Sequence, residues 1–560
     1  MLTKKIYTFE EIYPLAIRYK KQGNIVRLSE LCACVISYAN TEGNEVKKVE
    51  LFNLIGLIYS LYPDHNSAVI WFSKALELHQ REIVFISIIK SLIALGKYEK
   101  ASVHISEALA LHPDSDRLKS LQKVVINALT IHYLDEQKFE ECSAFFKEHF
   151  NNYELVLASG LSSSNNYDFI KKYSYDLILA TRFFPVKEYC LAKKYFYREV
   201  ETHGQKNVVY LASIFNGRKI RVQKNIEVPK RHVYISEIPN ATLLAGTGIV
   251  LTENNTCALD DTFFVFDRSR IIFDAHLSAV IKSYSVSTNS GLICTNLSIS
   301  PVASGIYIGG AYSSNFYHWM IEHLSLFWTI EQFEQYRNLP IIVDEKSIEH
   351  PNMRAALDKV NTFNREIVSV SVGSGYRFDK LIVPSRLAYI SPSVRDHLRA
   401  TDFIVHREAV EFLRKIFFIP SKQLPNRLLF LGRKTNVATR ISNQEEIQNI
   451  FQQCGFEIVY PEELSLSQNM ELFAQAKVIA GATGAAMTNI IFAPKNAKII
   501  CMLMEEAASN TIFSNISGII GQQMIYILGK SNKDSSLSYH SSFTINPSDV
   551  VSCLNILLGV

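Results

Sequence analysis

The sequence predicts a multidomain protein of α plus α/β class: helical repeats, then a β-rich lead-in, then two α/β units built on parallel sheets. Three observations carry this. Up to about residue 150, amphipathic helical patterns follow one another, and two segments repeat the same small and aromatic positions. From Asn207, β-branched and aromatic residues alternate with polar ones between frequent turn signals. From Ile306, short apolar runs alternate with helical patterns, in two successive sets.

At 560 residues the chain exceeds what one core organises, so several domains are expected. Apolar residues make up 48% and charged residues 20%, the balance of a globular protein without a long disordered arm. A net charge of +4 with no concentrated basic module argues against nucleic acid and fits an enzyme handling anionic substrates. The nine cysteines are scattered, with no CxxC pair or Cys/His cluster, which suits a reducing cytoplasm. The opening MLTKKIYTFEEIYPLAIRYKK lacks the apolar stretch of a signal peptide, and no window of about 18 apolar residues spans a membrane. The expectation is a cytoplasmic protein, with peripheral attachment at the inner face of the membrane left open.

In residues 1–150, Gly56, Tyr59, Ala68, Phe72 and Ala75 fall at the spacing of a tetratricopeptide (TPR) unit. GKYEKASVHISEALALHP repeats it with Ala101, Ile105, Ala108 and Pro113. Such units stack into a concave docking surface, so this TPR-like domain is either a site for a protein partner or a plain helical cap. Residues 151–205 read as a helical connector and 206–300 as the β-rich lead-in. The first Rossmann-type unit, 301–420, runs strand (GIYIGG), helix (314 to 337), strand (Pro340 to Asp344), helix (HPNMRAALDKV), strands EIVSV and DKLIVP, then a long helix from Ser393 to Phe418. The second, 421–560, runs strand RLLFLGR, a helix ending at Gly455, strand FEIVY, helix SLSQNMELFAQA, strand KVIAGAT, a helix from near Gly484, and strands KIICMLM and MIYIL. Ligands in such sheets sit beyond the carboxyl ends of the strands, so the site is expected there.

Three stretches carry chemistry. In GGAYSSNFYHWMIEHLSLFW, Asn315, His318 and Glu322 stand at i, i+3 and i+7 on a helix apolar almost all round, so they line a cleft or are bonded in the core. In LGRKTNVATRISNQEEI, the cations Arg433, Lys434 and Arg440 come off a strand just before a helix, an arrangement suited to an anion, although lone charge clusters are commonly solvated loops. In AGATGAAMTN, small residues at a strand-to-helix turn let backbone N–H groups approach a phosphate or sugar; alone, this pattern is weak.

In this order the three resemble glycosyltransferase family 61, whose N-Y-Y-H-W helix, R-x(6)-R-x-x-N-E stretch and G-x-H-G-A-x-x-T-N turn appear here as NFYHW, Arg433 with Arg440 and Asn443, and GATGAAMTN. The resemblance covers about residues 235 to 505. It implies a GT-B-like pair of Rossmann domains and an inverting, metal-independent transfer from a nucleotide sugar to a glycan acceptor, of the kind found in bacterial capsular polysaccharide biosynthesis. No cofactor or metal is implied. His318 is the natural base, with Glu322 orienting or replacing it. Arg433, Lys434, Arg440, Asn443, Thr483, Gly484, Ala485 and Asn489 fall on the donor side, and Asn315 and Tyr317 on the acceptor side. Thr483 replaces the usual histidine, Gln444 the usual acid, and Cys501 a frequent glutamate, so donor identity is not inherited. A TPR adaptor with an inactive transferase-like domain is the alternative.

Overall fold

The computed structural model describes residues 9–149, 177–252, 256–260, 280–297, 301–390, 399–433, 440–531 and 542–559, apart from 203, 205, 286 and 422. The chain divides into two compact units. One comprises Met1–Ser174, Ile178–Ala180 and Ser283–Ile293; the other comprises Tyr175–Leu177, Thr181–Lys282 and Cys294–Val560.

The first unit is helical. Its helices are α1 (Phe9–Lys21), α2 (Ile25–Thr41), α3 (Glu45–Leu61), α4 (His65–Leu78), α5 (Glu82–Ala94), α6 (Tyr98–Leu111), α7 (Asp116–Asp135) and α8 (Phe139–His149). Asn24, Asn44, Asp64 and Ser115 cap α2, α3, α4 and α7 by accepting from the backbone N–H three residues on. Each helix from α2 onward packs on the next. Gly56 in α3 leaves room for the buried Phe72 of α4, whose ring would collide with any Cβ there. Ala68, Phe72 and Ala75 are buried in α4, and Ala101, Ile105 and Ala108 occupy the same places in α6. Polar ties at matching places join residues 31 to 33 apart: Arg81 to Glu50, Lys97 to Asn66, His112 to the Gln80 carbonyl, and Ser115 to Glu82.

The second unit is mixed α/β, with one continuous hydrophobic core running through residues of two sheets. The parallel part of the first sheet comprises Val302–Tyr307, Ile341–Asp344, Ile367–Val370 and Ser374–Pro384, in the order 3-2-1-4 along the sheet. Val233–Leu244 then joins antiparallel to Ser374–Pro384 and leads on through Ile249–Leu251 to Cys257–Leu259 and Leu177–Pro185. The second sheet is built on Arg427–Leu431, Glu457–Val459, Ala476–Ala482, Lys498–Met504 and Gln523–Ser531, all parallel, in the order 2-1-3-4-5. Ser213–Phe215, from far earlier in the chain, adds parallel to its outer strand. In both sheets the order reverses between two neighbouring strands, opening a crevice at their carboxyl ends.

The structure differs from the sequence reading in four places, one of them Tyr197–Val200, a strand paired antiparallel with Val233–Leu244 where a helical connector was expected. Leu177–Pro185, read as part of a helical connector, is a strand; it pairs in parallel with Cys257–Leu259, a partner that no local pattern announces. The helix expected from Ser393 to Phe418 is shorter: Phe403–Val405 is a strand paired with Ala388–Ile390, and the helix spans Arg407–Phe417. Residues 391–398 of that expected helix lie outside the described residues. The helix expected from 314 to 337 is broken into a π turn (His318–His323), a 3-10 turn (Leu324–Leu326) and a short α-helix (Phe327–Ile330).

Among the described residues the nine cysteines form no disulfide. No helix among the described residues is long and apolar enough to cross a membrane.

His406, which precedes the Arg407–Phe417 helix, is buried, with Nε2 3.3 Å from Asn207 Nδ2 and Nδ1 3.9 Å from Glu408 Oε2. Burial pulls its titration down to about 4, against a partial upward pull from Glu408. The unfolded chain therefore binds more protons than the folded one between about pH 6.5 and 4, so stability falls as pH falls through that window. Urea titrations across this range should show a falling midpoint, with a shallower fall in His406→Gln; an unchanged slope in that variant would remove His406 as the cause.

Candidate functional site

Two clusters form where the sheets reverse order. In the first, Val302–Tyr307 runs out into Gly309 and Gly310, while Ser374–Pro384 runs out into Ser385 and Arg386. Gly310 has φ +135°, a left-handed conformation that suits glycine, and a Cβ there would lie 2.5 Å from Arg386 Nη2. A Cβ on Gly309 would lie 2.5 Å from Asp344 Oδ2. Asp344 ends the neighbouring strand, is fully buried, and accepts four hydrogen bonds. Oδ1 takes Gly246 N and the Tyr307 hydroxyl, both at 2.9 Å; Oδ2 takes Gly310 N and the Ser313 hydroxyl, both at 2.7 Å. Burial raises its titration despite these donors.

The loop fixed by Asp344 delivers the chain to Asn315. This residue is exposed and caps the turn: its Oδ1 accepts from Tyr317 N at 2.9 Å and its carbonyl from Trp319 N at 2.9 Å. Asn315 therefore stands at the mouth of the helical segment rather than on a stripe with His318 and Glu322. His318 and Glu322, four apart, lie on one face of the π turn. His318 Nδ1 lies 3.0 Å from Glu322 Oε2, close enough for an ion pair but out of line for a hydrogen bond. The His318 side chain is 15% exposed and that of Glu322 2%. The same Oε2 lies 3.5 Å from Arg386 Nη1.

Rings pack around this pair. Tyr312 stacks on His318 at 5.0 Å, and Tyr317 meets it edge-on at 5.2 Å. Tyr317 is buried and also meets Phe513 edge-on at 5.6 Å; burial and the nearby Glu322 push its hydroxyl well above its ordinary range. His323 is fully buried beside the cluster. Burial holds it neutral, and Arg386 and His318 push in the same direction.

The second cluster joins the loop after Arg427–Leu431 to the turn after Ala476–Ala482. Gly481 packs against Leu431, where a Cβ would lie 2.9 Å from Leu431 Cβ. Gly484, with φ +154°, sits where a Cβ would lie 2.5 Å from Arg433 Nη2 and 4.0 Å from Arg440 Nε. Two guanidinium groups thus converge on one glycine turn. Burial lowers the titration of both: Arg440 to about 10, with its like-charged neighbour Arg433 adding to the fall, and Arg433 against a partial upward pull from Glu462. The turn residues Thr483, Gly484 and Ala485 are half-buried. Thr483 N donates to Met502 O at 2.9 Å, and its side chain bonds the buried Cys501, whose thiol burial pushes up to about 12.

Two residues expected on the donor side are committed elsewhere. Asn443 bonds Glu446 and both backbone groups of Ile545. Asn489 is buried and donates to Ala486 O at 2.8 Å, tightening the Ala485–Phe492 turn. Gln444, at the position where an acid was expected, donates to Arg433 O at 2.7 Å and so fixes the arginine's backbone. Lys434 lies outside the described residues. Sequence reasoning missed Arg386 and Asp344. Arg386 had a usable signal, because it follows a strand end as Arg433 does; Asp344 had none beyond its place at the end of an apolar run.

Hydrogen bonds to a charged group contribute about 1.5–3 kcal/mol each, and their loss leaves buried donors unmet. Asp344→Asn turns one acceptor oxygen into a donor facing two others. It should destabilise the second unit by at least about 3 kcal/mol in urea unfolding. Tyr307→Phe, which removes one donor, should cost about 1 kcal/mol. Equal losses from both variants would show that the four bonds do not act on one carboxylate.

No curated protein matches the chain. Residues 316–500, which hold the π turn, Arg386, both arginines of the second cluster and the Gly484 turn, match the family model described as Glycosyltransferase 61, and this match supports a glycosyltransferase.

Proposed function

We propose that the protein is an inverting, metal-independent glycosyltransferase of GT-B type, moving a sugar from a nucleotide-sugar donor to a glycan acceptor such as a growing surface or capsular polysaccharide. The observation that carries the donor half of this reading is the convergence of Arg433 and Arg440 on the Gly484 turn, at the point where the strand order of the second sheet reverses. Two cations against a half-buried glycine turn that opens a helical segment match the needs of a diphosphate. As the anomeric C–O bond breaks, negative charge grows on the departing phosphate, and preorganised cations stabilise the transition state more than the ground state. Charge neutralisation that other transferases take from a divalent ion comes here from the arginines.

The acceptor half rests on the His318–Glu322 pair within the region matched by the family model. A sugar hydroxyl is a weak nucleophile, and a base removing its proton as the new bond forms contributes on the order of 100- to 10,000-fold. Attack from the face opposite the leaving group inverts the anomeric centre. A cytoplasmic setting, at or near the inner face of the membrane, agrees with nine cysteines that form no disulfide among the described residues and supplies nucleotide sugars.

The helical unit is read as TPR-like. Its support is the recurrence of Ala68, Phe72 and Ala75 as Ala101, Ile105 and Ala108, together with ties between residues 31 to 33 apart. Its role in this reading is to dock a protein partner or the acceptor.

Calorimetric titration with a panel of nucleoside diphosphates should give one binder. Arg433→Ala and Arg440→Ala should each weaken it by about 10- to 100-fold, the loss of a charge-assisted contact. Turnover of the matching nucleotide sugar should survive EDTA. Activity that falls in EDTA and returns with Mg²⁺ would reject the metal-free mechanism. Absence of any nucleotide binder would favour an adaptor with an inactive transferase-like domain.

A further inference from the structure

Resting on that reading, we infer that Arg386 is a positioning residue of the acceptor site: it and His318 share Glu322 Oε2, so that Glu322 serves as a fixed anion and His318 Nε2 as the proton acceptor. His318 Nδ1 is 3.0 Å and Arg386 Nη1 3.5 Å from that single oxygen, and the Glu322 side chain is only 2% exposed. Its other oxygen, Oε1, is buried and takes no hydrogen bond among the described residues. A sugar hydroxyl cannot reach a carboxylate whose one oxygen is sealed in the core and whose other is taken up by His318 and Arg386. Glu322 is therefore excluded as the base by access rather than by its chemistry.

The imidazole has one free edge. Nδ1 is buried against Glu322, whereas Nε2 is not among the buried polar atoms and the ring as a whole is partly exposed. Stacking on Tyr312 and the edge contact with Tyr317 hold the ring plane. The negative charge of a carboxylate 3.0 Å from Nδ1 favours the tautomer with the proton on Nδ1 and the lone pair on Nε2, the form a base needs. An anion buried this deeply requires a cation nearby. Arg386 supplies it, since His323 is held neutral by burial. The guanidinium reaches Glu322 across Gly310, where any side chain would block it. In the transfer step the acceptor O–H proton goes to Nε2, the acceptor oxygen bonds the anomeric carbon, and the C–O bond to the nucleoside diphosphate breaks. The electron pair of that bond leaves with the diphosphate toward Arg433 and Arg440.

The test is ¹⁵N-histidine NMR of the full chain, with the His318 signals assigned through His318→Gln. Wild type should show the Nδ1–H tautomer at His318. Arg386→Lys should keep it, while Arg386→Ala and Glu322→Gln should move His318 toward Nε2–H with the other histidine signals in place. With the donor found by calorimetry, Arg386→Ala and Glu322→Gln should lower kcat on the order of 100-fold, the low end of a general-base contribution, and leave the donor KM within about threefold. An Nε2–H tautomer in wild type, or an Arg386→Ala variant with an unchanged tautomer, overturns the inference whether or not a donor is known. The expected tautomers in a protein that turns over no nucleotide sugar would instead overturn the functional reading and leave the His318–Glu322–Arg386 arrangement standing.

Discussion

The structure around the candidate acceptor site depends on one buried carboxylate. Asp344 draws the turn at Gly246, the Tyr307 hydroxyl, the backbone at Gly310 and the Ser313 hydroxyl onto two oxygens. Ionising a group in that position is unfavourable, as its raised titration records, and four directed donors offset the cost. The result is a loop with little freedom. Gly309 has no space for a side chain beside Asp344, and Gly310 adopts a left-handed backbone that leaves room for Arg386. The chain leaves this loop at a set angle, Asn315 caps the turn, and His318 and Glu322 follow within a few residues. The position of His318 thus depends on a carboxylate elsewhere in the chain.

Both sheets solve the same problem alike. At each reversal of strand order, one strand ends in a glycine turn and its neighbour ends in an arginine that lies against that glycine. Gly310 with Arg386 does this in the first sheet, and Gly484 with Arg433 in the second. The absence of a Cβ allows a guanidinium to lie close to backbone, leaving main-chain groups near the charge. What differs is what surrounds the cation. Arg386 faces a buried glutamate and is largely neutralised, so its charge acts on a neighbouring side chain. Arg433 stands beside Arg440, and the two like charges repel.

Much of this was legible in the residues. Strands in both sheets were readable because fully buried parallel strands are short apolar runs between turn signals, as in IIVD, RLLFL and KIICMLM. Arg433, Arg440 and Gly484 were legible as a group because a strand end, cations and a glycine turn recur in order. Three features were not. A π turn leaves no mark in a sequence pattern, since the apolar positions of HWMIEH suit an α-helix equally well. Asp344 is one acid after an apolar run, and its four donors come from positions between 246 and 313. The strand Leu177–Pro185 exists because Cys257–Leu259 is there to pair with it, a contact set by tertiary structure.

The helix that sequence periodicity drew too long is also the piece that relates the two clusters. Arg407–Phe417 packs on the His318–His323 turn and on the Ala485–Phe492 turn. From it, Arg414 Nη1 donates to the carbonyls of Ile491 and Ala493 at 2.7 and 2.8 Å, placing a cation at the carboxyl end of the turn that Gly484 begins. Val410, Leu413 and Phe417 are buried in the core shared by both sheets. On the other side, Tyr317 meets Phe513 of the Ile512–Ile520 helix. Close-packed interiors transmit displacements rather than absorbing them. A substitution that tilts this helix therefore moves the His318 imidazole and the Gly484 turn together, and the separation between the two clusters is a property of core packing as much as of the residues that form them.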